Sequence, residues 1–304
     1  MSATNQTRNI TLVGGSGTVG APILSELVAK GHNVTVLSRP DSSATFPSTV
    51  TVHREPHDDE SFLEGVLKGQ DVLIFALHHS AYETQIPIIK AAAKVGVPYI
   101  VPCEFGSDAT NDKLNSRIAL MNMKRPYRKL IEELGVSSWI GVTCNPWFDF
   151  SMRLGFFGLD AKTRTARIFD DGQVKTNFTT LRRVGESLAA LLALPETELA
   201  QYKNDWVYFS SFCFSQRDLL ESAKRVTGTK EKDWSIISEN PDEVIKAAEE
   251  EVAKGNVVAG VHILFALMFS EGHGGDYSTK VVDYKRLGLE PEDLDEALKE
   301  LIAQ

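Results

Sequence analysis

The chain has 304 residues, 42% of them hydrophobic and 24% charged, with a net charge of −9 at pH 7. This is an ordinary globular composition, long enough for about two domains, and its acidic balance argues against a general nucleic-acid-binding face, which needs basic residues. Three cysteines without C-x-x-C spacing (Cys103, Cys144, Cys213) exclude a disulfide framework and fit a reducing compartment.

The N-terminus lacks a charged segment followed by an apolar core. The most apolar later stretch, 257–269, is 13 residues long, whereas a membrane span needs about 20. A cytoplasmic protein without a membrane partner is therefore expected. Its oligomeric state, monomer or homodimer, stays open.

A strand pattern over 10–13 opens the ordered chain, and an amphipathic helix pattern runs over 18–30 to Gly31. Between them stands Gly14-Gly15-Ser16-Gly17-Thr18-Val19-Gly20, which satisfies G-x-G-x-x-G through Gly15, Gly17 and Gly20. Such glycines permit a tight turn, close approach of backbone to a pyrophosphate, and close helix–strand packing. The free N–H groups and positive dipole of the following helix face the phosphates. Gly14, Gly15, Gly17, Thr18, Val19 and Gly20 are accordingly candidate dinucleotide contacts.

The second strand, 33–37, ends in Ser38-Arg39, where an NAD site usually carries an acid for the ribose 2′-hydroxyl. The planar fork of an arginine suits a 2′-phosphate instead. A bond to a charged group contributes roughly 1.5–3 kcal/mol, or a preference of roughly ten- to a hundredfold. Ser38 and Arg39 thus point to NADP(H) as cofactor.

Strand and helix patterns then alternate: strand 49–53, helix 58–67, strand 71–77, helix 82–95, strand 98–102, helix 116–134 and strand 138–143. Strands apolar almost throughout, separated by helices, imply an α/β fold with a doubly wound parallel (Rossmann) sheet. Beyond Asn145 the rhythm breaks into aromatic and glycine-rich loops, a strand candidate at 206–210 and several helices. The expected organisation is an NADP-binding domain over 1–150. A smaller, mainly substrate-binding lobe follows over 151–304, with some elements returning to the core.

Four stretches carry a family resemblance. They are 13–20; Val36-Leu37-Ser38-Arg39; Asp59-Glu60-Ser61-Phe62 with the segment 67–72; and Pro102-Cys103-Glu104-Phe105-Gly106, which is similar to "PSEFG" with cysteine for serine. The likeness continues more loosely through 155–158, 208–212 and 226–228. The chain resembles NmrA-like, isoflavone-reductase-like atypical short-chain dehydrogenase/reductases, fungal NmrA-like oxidoreductases in particular. That resemblance implies a lysine beside the nicotinamide, and the segment 123–135 places Lys124 at the position. A buried lysine suits proton transfer or polarisation of a substrate. Pro126 falls inside the expected helix, so the helix either kinks there or begins there. The tyrosine of ordinary short-chain dehydrogenases, four residues before the lysine, is replaced by Leu120.

Cys103 stands at a strand end facing the cofactor; without an evident base it reads as a small buried hydrophobe rather than a nucleophile. Ligands of open α/β sheets bind at the carboxyl ends of strands. This makes Leu77, His78, Cys103, Phe105 and Asn145, with Lys124, further cofactor candidates; His79, Trp147 and Phe148, with Phe156 of the aromatic loops beyond Asn145, are substrate candidates. For Trp147 and Phe148 the alternative is packing between the lobes. No metal-ligand spacing is present. The favoured function is an NADPH-dependent reductase of a small aromatic or conjugated secondary metabolite. An NADP(H)-sensing regulator without turnover and a redox-neutral cyclase or isomerase are the alternatives.

Overall fold

The computed structural model describes residues 6–303 and, at 119, 120 and 257, the backbone alone. The first half runs β1 (Asn9–Val13), α1 (Gly20–Ala29), β2 (Asn33–Ser38), β3 (Thr51–Arg54), α2 (Glu60–Leu67), β4 (Val72–Phe75), a 3-10 turn, α3 (Gln85–Val95), β5 (Tyr99–Val101), α4 (Asp112–Asn115), α5 (Ala119–Asn122), α6 (Arg125–Leu134) and β6 (Ser138–Thr143). The second half adds α7 (Phe148–Arg153), β7 (Leu159–Asp160), β8 (Thr165–Phe169), β9 (Thr176–Phe178), α8 (Leu181–Leu192), α9 (Glu196–Leu199), β10 (Asp205–Tyr208) and β11 (Phe212–Phe214). After these come α10 (Gln216–Thr227), β12 (Ser235–Glu239), α11 (Pro241–Ala253), α12 (Gly260–Met268), α13 (Tyr284–Leu287) and α14 (Leu294–Ile302).

The main sheet has the order β10-β6-β5-β4-β1-β2-β3, and all of its pairings are parallel. Successive side chains of a strand point to opposite faces, and here both faces are covered. Ile10, Leu12, Val36, Val72, Ile74, Val101, Ile140 and Val207 pack into the layer that includes α1 and α8. Val13, Leu37, Leu73, Phe75, Ile100 and Trp139 pack on the other side with α2, α3 and α6. This two-sided burial explains why the strands read as unbroken apolar runs. The chain builds outward from β1 through β2 to β3, then returns to β4 on the other side of β1. The switch point, where ligands of such sheets bind, therefore lies between the carboxyl ends of β1 and β4.

The helix expected over 116–134 is interrupted, and Pro126 gives the reason. A proline lacks the N–H that a helix interior needs but fits a first turn. Accordingly α6 begins at Arg125 with Pro126 in its opening turn and Lys124 as its N-cap residue. The helix expected from residue 82 likewise starts later, as α3, after the 3-10 turn His79–Thr84.

Four elements of the second half belong to the main sheet's layers: β10, α8 and, through Leu199 and Leu287, α9 and α13. β10 pairs with β6 at the sheet edge. α8 packs on α1 so closely that a Cβ at Gly185 would lie 2.6 Å from the Pro22 carbonyl oxygen. The remainder forms a three-stranded sheet β12-β8-β7, a two-stranded sheet β11-β9 and the helices around them. An aromatic cluster of Phe148, Phe157, Phe178, Phe212, Phe214, Phe265 and Phe269 fills its centre. Among the described residues no helix is long and apolar enough to cross a membrane.

Candidate active site

The turn after β1 is dictated by backbone crowding. Gly14 has φ +89, and a Cβ there would come within 2.4 Å of the Ala76 carbonyl oxygen at the end of β4; a Cβ on Gly20 would lie 2.0 Å from the Gly14 oxygen. Only glycine fits both positions. Gly15 is buried against Leu12 and Val36. Val19 points into the core, whereas Ser16, Gly17 and Thr18 are exposed. No side chain caps α1, so its positive end is open to an anion. These features fit a dinucleotide pyrophosphate.

At the end of β2, Ser38 is buried and the Arg39 guanidinium is three-quarters exposed, paired with Asp41 at 3.8 Å. So loose and exposed a pair contributes little, which leaves the arginine free for a phosphate. His57, in the loop after β3, sits against the Ser38 carbonyl and Arg39. Burial is the main cause that holds its pKa below the ordinary histidine value.

The strand ends are then joined by direct contacts. Leu77, just past β4, receives the Cys103 thiol at its carbonyl (3.1 Å) and gives its N–H to the same sulfur (3.3 Å). The Cys103 amide donates to Gln85 Oε1 at 3.1 Å. Burial pushes the Cys103 thiol up to about 11, against a smaller lowering by the Lys124 charge. It is a neutral structural thiol, as a small buried hydrophobe would be. Phe105 is buried in the layer facing α1 and α8.

Lys124 is buried, with 5% of its surface exposed, and its Nζ donates to the Glu104 carbonyl. A Cβ on Gly106 would come within 3.2 Å of that Nζ, so the glycine leaves room for the ammonium. The carboxylate of Glu104 is itself buried and paired with Arg128, whose guanidinium stacks 4.7 Å from the Trp206 ring. The pair anchors residues 103–106 to α6 and aims a carbonyl at the lysine.

His78 and His79 are both exposed at the start of the 3-10 turn, with ring centroids 3.9 Å apart and His78 Nδ1 2.9 Å from Ser80 Oγ. Desolvation and then the neighbouring ring lower the His79 pKa. Asn145, left-handed at φ +53, is buried, and its Nδ2 donates to the carbonyls of Asn177 (2.9 Å) and Gly275 (3.0 Å). Its amide ties the end of β6 to the second half of the chain. Trp147 is half-buried, its indole N–H facing the Cys144 thiol. Phe148 is fully buried in the aromatic cluster, 5.1 Å from Phe212, which matches the packing alternative of the two expected for it. Phe156 lies half-buried at the edge of that cluster, 5.8 Å from the ring of His262.

Sequence reasoning missed a polar hub between the two halves. Asp108, buried, accepts from Lys280 Nζ (2.8 Å), Tyr208 hydroxyl (3.1 Å) and Thr110. Its neighbours Glu104, Phe105 and Gly106 were the only sequence signal for it. A cleft of about 430 Å³ opens elsewhere, between α8 and residues 288–301, lined by Asp149, Arg183 and Glu292 among others. Apart from Phe148 it shares no residue with the strand-end cluster. Among the described residues no three His, Cys, Asp or Glu side chains are grouped as metal ligands would be.

A parallel sheet with this switch point, a glycine turn at it, an arginine at the β2 end and a buried lysine past β5 place the chain in the Rossmann class of folds. The model of the NmrA-like family matches residues 6–254, and the chain belongs to that family. It is 28% identical to the Aspergillus flavus protein named oxidoreductase aprR, over 97% of this chain and 99% of that one. Its fold is similar to that of AtPrR2 solved with NADP+ and (+)pinoresinol (TM-score 0.80, 19% identity, 97% and 99% covered). It is equally similar to that of an isoflavone reductase (TM-score 0.79, 20% identity, 97% and 99% covered).

Proposed function

We propose that this protein is an NADPH-dependent reductase of a small aromatic or conjugated metabolite. The observation that carries the reading is Lys124, a buried ammonium whose one recorded partner among the described residues is the Glu104 carbonyl. A buried cation is rare unless it is paired or has work to do at a site. NADPH, when bound, supplies a hydride from its nicotinamide. The chain's own residues do the rest. Gly17, Thr18 and the open end of α1 bind the pyrophosphate, and Arg39 forks the 2′-phosphate. Lys124 holds a proton at Nζ for the substrate atom that becomes basic on reduction, a contribution of about 10²–10⁴ in rate for general acid catalysis.

The names of the relatives, an oxidoreductase and reductases, one of them with NADP+, support the same chemistry. Half-buried Trp147 and Phe156 offer ring faces to a planar substrate. The test is incubation of candidate aromatic metabolites with NADPH, following cofactor oxidation and product mass together. The expected result is a product two hydrogens heavier, formed one for one with NADP+. A product of unchanged mass would mark a redox-neutral enzyme. Tight NADPH binding with no product from any candidate would mark a regulator.

A further inference from the structure

The loop after β3 carries a group that the glycine turn and the β2 end leave unexplained. β2 and β3 run in register from Thr35 beside Thr51 to Ser38 beside Arg54, so residues just past Arg54 lie next to those just past Ser38. His57 stands there. Its ring lies against the Ser38 carbonyl, and Arg39 and Asp58 are the charged groups acting on it. Its Nε2 is buried and has no hydrogen-bond partner. Buried polar atoms are paired in the great majority of cases, and an exception calls for a reason. A neutral imidazole carries a proton on one nitrogen only, whereas the imidazolium donates from both.

We propose that His57 is a second contact, beside Arg39, for the ribose 2′-phosphate of the cofactor, and that it takes up a proton when that phosphate binds. The inference rests on the NADPH reading above. A neutral Nε2 repels a phosphate dianion, whereas a protonated one donates to it. In the free protein burial and the Arg39 charge disfavour the imidazolium, and the Ser38 carbonyl and Asp58 oppose them. A phosphate monoester, with its second ionisation near 6 and about −1.5 to −2 charge at neutral pH, reverses that balance. The exposed Arg39 guanidinium pairs with the same anion. A ribose hydroxyl brings no such charge, so NADH draws no proton.

The test is calorimetric titration of NADPH and NADH into the full chain at about pH 5.5 and about pH 8, a window that brackets the ordinary histidine value. Buffers of different ionisation enthalpy count the protons. Wild type, His57→Gln and His57→Ala are compared. In wild type, NADPH should bind at least about tenfold more tightly than NADH, take up a fraction of a proton, and weaken as pH rises. Both variants should lose about tenfold in NADPH affinity and the proton uptake, while NADH affinity stays put. Wild type without an NADPH preference would overturn the cofactor reading itself. A preference and proton uptake that survive in both variants would overturn the role of His57 alone. Equal losses for NADPH and NADH would make His57 structural and overturn it too.

Discussion

Cys103 sits just past the end of β5, and its surroundings decide what it does. The thiol is buried, bonded both ways to the Leu77 main chain, and pushed up to about 11. A thiol is reactive as thiolate, so native Cys103 should resist iodoacetamide at neutral pH and become labelled only on unfolding. Cys103→Ser should keep NADPH affinity, because a hydroxyl can make the same two bonds. Rapid native labelling, followed by mass spectrometry of the peptide, would contradict this. At this scale the sequence told unequally. Gly14, Gly20 and Arg39 were legible because their chemistry is local: a turn, a close approach, a charge at a strand end. His57 and Asp108 were not, because their meaning comes from neighbours across the fold, Ser38 and Arg39 for the first, Tyr208 and Lys280 for the second.

Elements were legible where one segment contacts its sequence neighbours and less so where distant segments meet. The alternation through β6 could be read from apolar runs, whereas the packing of α8 on α1 and of β10 beside β6 brings together residues far apart in the chain. His32 is part of that docking. The Arg8 N–H donates to its Nδ1 at 3.2 Å, so Nε2 carries the proton and donates to the Ala189 carbonyl at 3.0 Å. Desolvation lowers its pKa from the usual 6.5, partly offset by the bond to Ala189 and reinforced by Arg8. A histidine that folds as the neutral ring adds stability in full above its unfolded pKa. That stability is lost as pH falls below it towards the depressed folded value. Thermal melts should therefore show wild type losing Tm from about pH 7.5 to about pH 5.5. The curve of His32→Gln should start lower and slope less. Other histidines with lowered values (His57, His79, His273) give both proteins a common slope. Parallel curves would contradict the role given to His32.

Taken whole, the molecule is a parallel sheet whose strand ends are wired together across β1, β4, β5 and β6. Gly14 crowds Ala76, Leu77 bonds Cys103, and Glu104 and Gly106 receive Lys124. The Gly106 carbonyl in turn accepts from the Cys144 and Asn145 amides at 3.0 Å each. The second half closes on this line through Asn145, Asp108 and Lys280. Aromatic content was legible as a lobe, yet the division of labour was not: Phe148 reads the same as Trp147 in sequence, and only packing separates a core ring from a half-exposed one. The proposed reductase needs Lys124 in turnover and not in cofactor binding. The direct measurement is the paired Kd for NADPH and single-turnover rate of Lys124→Ala, using a metabolite that wild type reduces. The expected rate is at least about a hundredfold lower, the lower range for general acid catalysis, with NADPH affinity essentially unchanged. A near-normal rate, or a loss of NADPH binding that accounts for the lost rate, would contradict it.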